Sequence, residues 1–272
     1  MRVALVLLAC LASCTLIRPP RQVVLDGEVN FRDVGGYKTV DGKRVQWGQV
    51  YWSGMLAKLT PRDVETMRRL QVQEVVDFRT DGEIEHAGAD RIPEGVRHTR
   101  LPISGEGLAD QIVEFRKTRD FSLLTPDVNP DIHRLLVQEG KEQYAAVLRA
   151  AIDPANRPLV FHCSHGVHRT GTAAAILLSA LGVPWKTVRK DYLLSNKYRK
   201  RESSRRIKEL SKHAKNKQEK KNIRAFYILE PEYIDATRDE ILRRYGSMEA
   251  YIKDGLGITD AELAALRNAL LN

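Results

Sequence analysis

Short runs centred on branched and aromatic residues recur along the first part of the chain: Val50-Tyr51-Trp52, Glu74 to Phe78, and Pro158 to Phe161. Each is brief and bounded by polar or turn residues, as expected of a buried strand rather than a helix. A further strand is expected at His98 to Leu101. Between them lie longer stretches with helical spacing. One opens at Thr60-Pro61, where Pro suits the first helical position, with Glu65 in the early turns. Another reads as one long helix from about Asp131 to Ile152, and Thr170 to Leu181 is rich in Ala and Leu. Beyond residue 170 the pattern is helical throughout. It ends in a helix with a capping box, Thr259 with Glu262, and an apolar stripe through Leu263, Leu266 and Leu270. Strands alternating with helices predict an α/β fold: a central, mostly parallel sheet flanked by helices, with a helical C-terminal part. No internal repeat is apparent.

The junction between the last strand and the Ala-rich helix reads His162-Cys163-Ser164-His165-Gly166-Val167-His168-Arg169-Thr170-Gly171. Successive backbone N–H groups at such a junction point into the loop, and the helix dipole adds positive potential. A dianionic phosphoryl group can therefore be held by the backbone of Ser164, His165, Gly166, Val167, His168, Arg169 and Thr170. The same field favours thiolate over thiol, which makes Cys163 a candidate nucleophile. Arg169 supplies a planar fork that can grip two phosphoryl oxygens and follow them into a trigonal transition state. Thr170 can donate its hydroxyl to the sulfur, and Gly166 and Gly171 permit tight turns. Chance assembly of these residues at these offsets is roughly a one-in-a-million event at average residue usage.

The decapeptide resembles the signature loop of cysteine-dependent protein tyrosine phosphatases. Asn30 to Tyr37, Val50 to Gly54, Val75 to Thr80, Asp191 to Asn196 and Tyr245-Gly246-Ser247 are similar to successive motifs of the bacterial atypical tyrosine and lipid phosphatases, so the resemblance spans about residues 22 to 272. It implies a tyrosine phosphatase-like fold and phosphomonoester hydrolysis through a phosphocysteine, without metal or other cofactor. The expected substrate is a phosphorylated protein, on tyrosine or with dual specificity. The alternatives are an inositol phosphate or phosphoinositide and, outside enzymes, a membrane-tethered module that binds a phospho-ligand without turning it over. The loop departs from the bacterial group, which usually carries Ala, Lys and Asp where this chain has His165, Val167 and His168. His before the Arg is more like the plant and fungal atypical dual-specificity phosphatases.

A leaving alkoxide or phenolate needs a proton, and tyrosine phosphatases usually take it from an Asp on a neighbouring loop. Leu101 to Gly107 occupies the corresponding place and holds no Asp. Glu106 is the candidate general acid, Asp110 the second and protonated His168 a third. His162, Cys163, His165 and His168 are also zinc-type ligands, but a phosphate loop splays alternate side chains away from a common point. His162 reads as a strand-end ring that orders the loop; His165 and His168 stand between rim and phosphate contact. Asp77 and Arg79 read as an ion pair behind the loop, with Arg79 alternatively reaching substrate. Arg32 and Asp33 either order the loop or belong to a plain turn at Gly35-Gly36.

Three cysteines are present, and two lie in the leader: Cys10 and Cys14. Met1-Arg2 followed by Val3 to Ala9 is a positive start and an apolar core too short to span a bilayer. Leu11-Ala12-Ser13-Cys14 resembles a bacterial lipobox. The expected organisation is a signal peptide over 1–13, a lipidated tether over 14–21 anchored at Cys14, and one catalytic domain over 22–272. At full stretch the tether from Thr15 to Arg21 reaches about 25 Å. This places the chain in the cell envelope as a membrane-anchored lipoprotein, with Cys163 its one free thiol and no internal disulfide; an ordinary cleaved signal peptide and an uncleaved anchor are the alternatives.

Formal charge is +9, and Lys197 to Arg224 carries it: thirteen Lys and Arg against three Glu, so the rest is close to neutral. This segment, 197–224, reads as a solvated, charge-laced helix, a rim that draws anionic substrates, or a patch that lies on anionic lipid headgroups. Nucleic acid is disfavoured, because only Tyr198 and Phe226 lie in or beside the run and a stacking platform is missing.

Overall fold

Residues 20–104 and 118–272 are described by the structure, a computed structural model. Five strands among them form one sheet in the order β1 (Arg32–Asp33), β2 (Val50–Ser53), β5 (Leu159–His162), β3 (Glu74–Asp77) and β4 (Arg97–Arg100). β2, β5, β3 and β4 are parallel; only β1 runs antiparallel, against β2. In register, Tyr51 and Val75 flank Val160, while Trp52 and Val76 flank Phe161. The first three pack on one face with Leu56, Leu59 and Met67. Trp52, Val76 and Phe161 pack on the other face in the main core. With both faces covered, consecutive residues at the middle of each central strand are apolar, Tyr51-Trp52, Val75-Val76 and Val160-Phe161, the reason they are visible in the sequence. β1 is charged and short, and no hydrophobic pattern announces it.

The sheet is flanked as expected. Helix α1 (Pro61–Arg69) starts at Thr60, and Asp63 closes its capping box. The Asp63 carboxylate also accepts from the amides of Asp26 (2.8 Å) and Gly27 (2.9 Å), while Glu65 pairs with Arg68 on the exposed side. Helix α2 (Asp81–Ala87) follows β3 directly. The single long helix expected over 131–152 is two: α3 (Val128–Glu139) and α4 (Lys141–Ile152), broken at Gly140. The break lets buried Tyr144 fold back over Gly140, where a Cβ would lie 2.4 Å from its ring. That ring then meets Phe78 edge-on, 6.0 Å between centroids.

The helix leaving the phosphate loop, α5 (His168–Ala180), is buried almost all round. Every further described residue run is helical or connecting: α6 (Trp185–Tyr198), α7 (Lys200–Leu210), α8 (Lys217–Tyr227), α9 (Pro231–Tyr245), a helical turn over 248–255, and α10 (Asp260–Leu270). The capping box of α10 forms as read, and Leu263, Leu266 and Leu270 are buried. The basic segment thus becomes the end of α6 and the pair α7 and α8. Their inner residues Ile207, Leu210, Ile223 and Phe226 pack with Phe121 and Leu124, and most of their cations face solvent. No helix among the described residues is long and apolar enough to cross a membrane.

Leu266 is fully buried in the main core. Leu266→Ala is expected to lower unfolding free energy by about 2–5 kcal/mol, read from urea denaturation followed by circular dichroism.

Candidate active site

The loop between β5 and α5 is held by what receives its carbonyls. Gly166 has φ +57°, and a Cβ there would lie 2.7 Å from both Gly54 N and Ser53 O, so only glycine fits. Its carbonyl turns outward and accepts from Asn30 Nδ2 (2.7 Å) and Trp52 Nε1 (2.9 Å). Asn30 Oδ1 in turn accepts from Arg32 Nη1 (2.8 Å). Arg32 is fully buried, lies 3.4 Å over the Trp52 ring, and reaches the Asp191 carbonyl (3.2 Å) and carboxylate (3.5 Å). Tyr37 completes the chain by donating to Asp191 Oδ1 (2.7 Å). Both readings of residues 30–37 therefore hold, for different residues. Asn30 and Arg32 order the loop, while Asp33 accepts from Gly35 N (2.7 Å) and Gly48 N (2.6 Å) and builds the turn.

Cys163 sits at the base of the loop, 3 % exposed. Burial pushes its thiol up, but the Arg169 charge, the Thr170 hydroxyl and amide, and the His165 amide outweigh it and bring the thiol below its ordinary value. The Thr170 hydroxyl itself donates to Ser53 O (3.4 Å). Arg169 directs Nη1 to the carbonyls of Phe78 (2.9 Å) and Ile103 (3.1 Å) and engages Glu83 bidentately, at 2.7 and 2.6 Å. Glu83 also accepts from the Ser164 hydroxyl. Burial opposes its ionisation, yet the bonds from Arg169 bring the Glu83 carboxyl down to about 2.

Glu83 escaped the reading of the sequence. It occupies the third position of α2, where it also accepts from Thr80 N (2.9 Å) in a capping box. Thr80-Asp81-Gly82-Glu83 straight after a strand was the available signal.

The histidines do not converge on a point. His165 is exposed. His168 Nε2 donates to Asn129 Oδ1 (2.7 Å), and burial with the charges of Arg169 and Arg199 lowers its pKa to about 3. It is neutral at physiological pH, which removes it as a protonated acid. Glu106 and Asp110, the other candidates, lie outside the described residues, as does Cys14. His162 orders the loop from behind. Its Nε2 donates to Asp90 Oδ2 (2.9 Å), and its Nδ1 lies 3.4 Å from Cys163 O.

Asp77, Asp90, His98 and His162 bring ligand-type atoms within 4.8 Å of one another. Arg79 already compensates them. Its Nη2 reaches Asp77 (2.9 Å) and Asp90 (2.7 Å), its Nε reaches both Asp77 oxygens, and it is fully buried. The expected Asp77–Arg79 pair is therefore real, and Arg79 has no path to substrate. In front of the loop opens a cleft of about 1000 Å³, bounded by α2, α3 and α7.

Burial disfavours the His162 cation, but the bond to Asp90 and the two carboxylates raise its pKa above 6.5. The folded value exceeds the unfolded one, so this stabilisation is complete below about pH 6.5 and fades as pH rises through the folded value. His162→Asn is expected to cost about 3–5 kcal/mol near pH 6. The gap to wild type should narrow on the alkaline side, as read from urea midpoints across pH.

A sequence profile described as tyrosine phosphatase family matches residues 23–272. A Cupriavidus necator protein named as a tyrosine-protein phosphatase is 28 % identical over 234 residues, covering 86 % of this chain and 84 % of its own. The triple specificity protein phosphatase PtpB of Mycobacterium tuberculosis is 28 % identical over 277 residues, covering 91 % and 98 %. The crystal structure of P. aeruginosa TpbA aligns with a TM-score of 0.33 and 21 % identity over 56 % of this chain and 71 % of that one, too slight a likeness to add to the fold. With the match running from just before β1 to the last residue, the chain belongs to the tyrosine phosphatase family and is a phosphatase.

Proposed function

We propose that the chain hydrolyses phosphomonoesters in two steps through a phosphocysteine. The Cys163 thiolate attacks phosphorus in line with the leaving oxygen, while Arg169 and the amides of residues 164–170 hold the remaining oxygens. Glu106 protonates the leaving oxygen, with Asp110 the second candidate. Water then attacks the phosphocysteine, releasing inorganic phosphate and restoring the thiolate. The scheme calls for no metal. The observation that carries it is a buried Cys163 at the start of a loop whose Gly166 carbonyl is turned away toward Asn30 and Trp52 and whose Arg169 is fixed by Phe78, Ile103 and Glu83.

The cleft's carboxylates support a donor from the segment that holds Glu106. Among the described residues they are Glu83 and Glu209. Glu83, at about 2, has no proton to give near neutrality, and Glu209 lies out on α7. The substrate in this reading is a phosphorylated protein, on tyrosine or with dual specificity; the breadth in the printed name of the Mycobacterium tuberculosis relative is compatible with either. The second reading, an inositol phosphate or phosphoinositide, is favoured by Arg199 and Arg206 lining the cleft. The proposal includes export: 1–13 cleaved, Cys14 lipidated, 14–21 a tether, and one catalytic domain over 22–272 held at a membrane of the cell envelope.

Release of p-nitrophenol from its phosphate in EDTA is expected to vanish in Cys163→Ser and to fall at least about 100-fold in Arg169→Ala; retained activity in Cys163→Ser defeats the mechanism. Glu106→Gln should lose about 100-fold on phenyl phosphate and less on p-nitrophenyl phosphate, whose leaving group needs no proton. Cys14→Ser should move the protein from the membrane to the soluble fraction of a bacterial host and abolish palmitate labelling.

A further inference from the structure

The carboxylates of the basic segment are engaged elsewhere than on its outer face. Glu219 is buried and accepts from Lys215 N (2.7 Å), Glu202 stands 3.5 Å from buried Arg199, and Glu209 stands 3.9 Å from Arg206 at the cleft. What remains outside is sorted by helical spacing. Arg201, Arg205 and Lys208 follow one another at intervals of three or four residues along α7, and Lys212 continues the row just past its end. Lys217, Lys220, Lys221 and Arg224 do the same on α8. All of them are exposed, and none forms an ion pair with a described residue. The opposite sides of both helices, with Ile207, Leu210, Ile223 and Phe226, lie on one cluster with Phe121 and Leu124. Both cationic rows therefore turn away from that cluster together and form one surface.

Other helices of the same protein compensate their exposed cations. Arg68 pairs with Glu65 on α1, Arg134 with Asp131 on α3, and Arg243 and Arg244 with Glu240 on α9, each within about one turn. Like charges at that spacing repel and destabilise a helix, so the bare face of α7 and α8 carries a cost that an anionic surface laid against it removes. The first described residues lie near that face. Arg21 stacks 3.9 Å over the Tyr37 ring, and Tyr37 donates to Asp191 (2.7 Å). From Asp191 it is about two turns along α6 to its end, where α7 and its cations begin.

We infer that the outer face of α7 and α8 is a docking surface for an anionic lipid bilayer. Charge complementarity selects an anionic partner, and a tether of about 25 Å rooted beside the face selects a bilayer over a soluble acidic protein. Neither row carries an aromatic ring on which bases could stack. In its choice of partner the inference rests on the tether proposed above; it does not depend on the catalytic chemistry. The apolar sides of both helices are already packed inside, so the contact is electrostatic and without insertion. Such contact is weak and reversible at physiological salt, and it orients a lipidated domain rather than holding an unlipidated one.

The test is co-sedimentation of the full chain carrying Cys14→Ser with vesicles of phosphatidylcholine, alone or with about 30 % phosphatidylglycerol. Neutral vesicles report whatever residues 1–19 contribute, and only the anionic excess is read. That excess is expected to be at least about 100-fold in affinity at low salt and to fall steeply as salt rises. Arg201→Gln, Arg205→Gln and Lys208→Gln together should lower it at least about tenfold, and so should Lys217→Gln, Lys221→Gln and Arg224→Gln. Each set stands for the face should the other fail to fold. The same charge removed by Arg62→Gln, Arg68→Gln and Arg134→Gln should change it less than about threefold. Equal binding to both vesicles, an excess that survives both α7 and α8 sets, or an equal loss in the control set overturns the docking face. Tighter capture by a polyglutamate peptide than by the anionic vesicles, lost in the same sets, overturns the bilayer in favour of an acidic protein. No turnover is measured, so failure of the phosphocysteine mechanism leaves this outcome unaffected.

Discussion

A loop that turns its amide hydrogens toward an anion must send carbonyl groups the other way, into the protein, and something must receive them. At Gly166 the receivers are Asn30 and Trp52, and both must be where they are. Asn30 is oriented by Arg32, a buried cation that in turn requires the Trp52 face and the Asp191 carboxylate. The N-terminal segment, the second strand and the sixth helix are therefore tied to a single carbonyl. The absence of room for a Cβ at Gly166 shows how closely the loop is pressed onto β2.

Charge is distributed around this loop in compensated groups. Arg169 faces Glu83 at its side; behind it, Arg79 and His162 face Asp77 and Asp90. Buried pairs of this kind add little net stability over apolar packing, but losing one member is costly, so they specify one arrangement strongly. The thiol benefits indirectly. Arg169 is held by three acceptors on three different segments, and its charge lowers the Cys163 thiol without the side chain having to be ordered by substrate.

What could be read from the chain follows from how local each cause is. The central strands were legible because burial on both faces makes consecutive residues at their middles apolar. The starts of α1 and α10 were legible because capping is settled within four residues; at α1 the Asp63 that closes the box also serves the amides of Asp26 and Gly27. Helix α2 was missed because none of its residues is buried, so it has no apolar stripe to show. Glu83 went with it. The break at Gly140 depends on Tyr144 packing against Phe78, and nothing in the periodicity of 128–152 records that contact.

The reaction class belongs to the sequence. Ten consecutive residues between a strand and a helix bring a thiol, a guanidinium and a run of amides together, because chain connectivity alone sets geometry over so short a span. The partners of those groups belong to the tertiary structure. Glu83 beside Arg169, Asp90 beside His162, Asn129 beside His168 and Arg199 at the cleft come from separate elements. Charge compensation acts through space and not along the chain. Which carboxylate meets which cation, and so which groups stay ionised and which cations remain for a substrate, is decided only when the helices pack on the sheet.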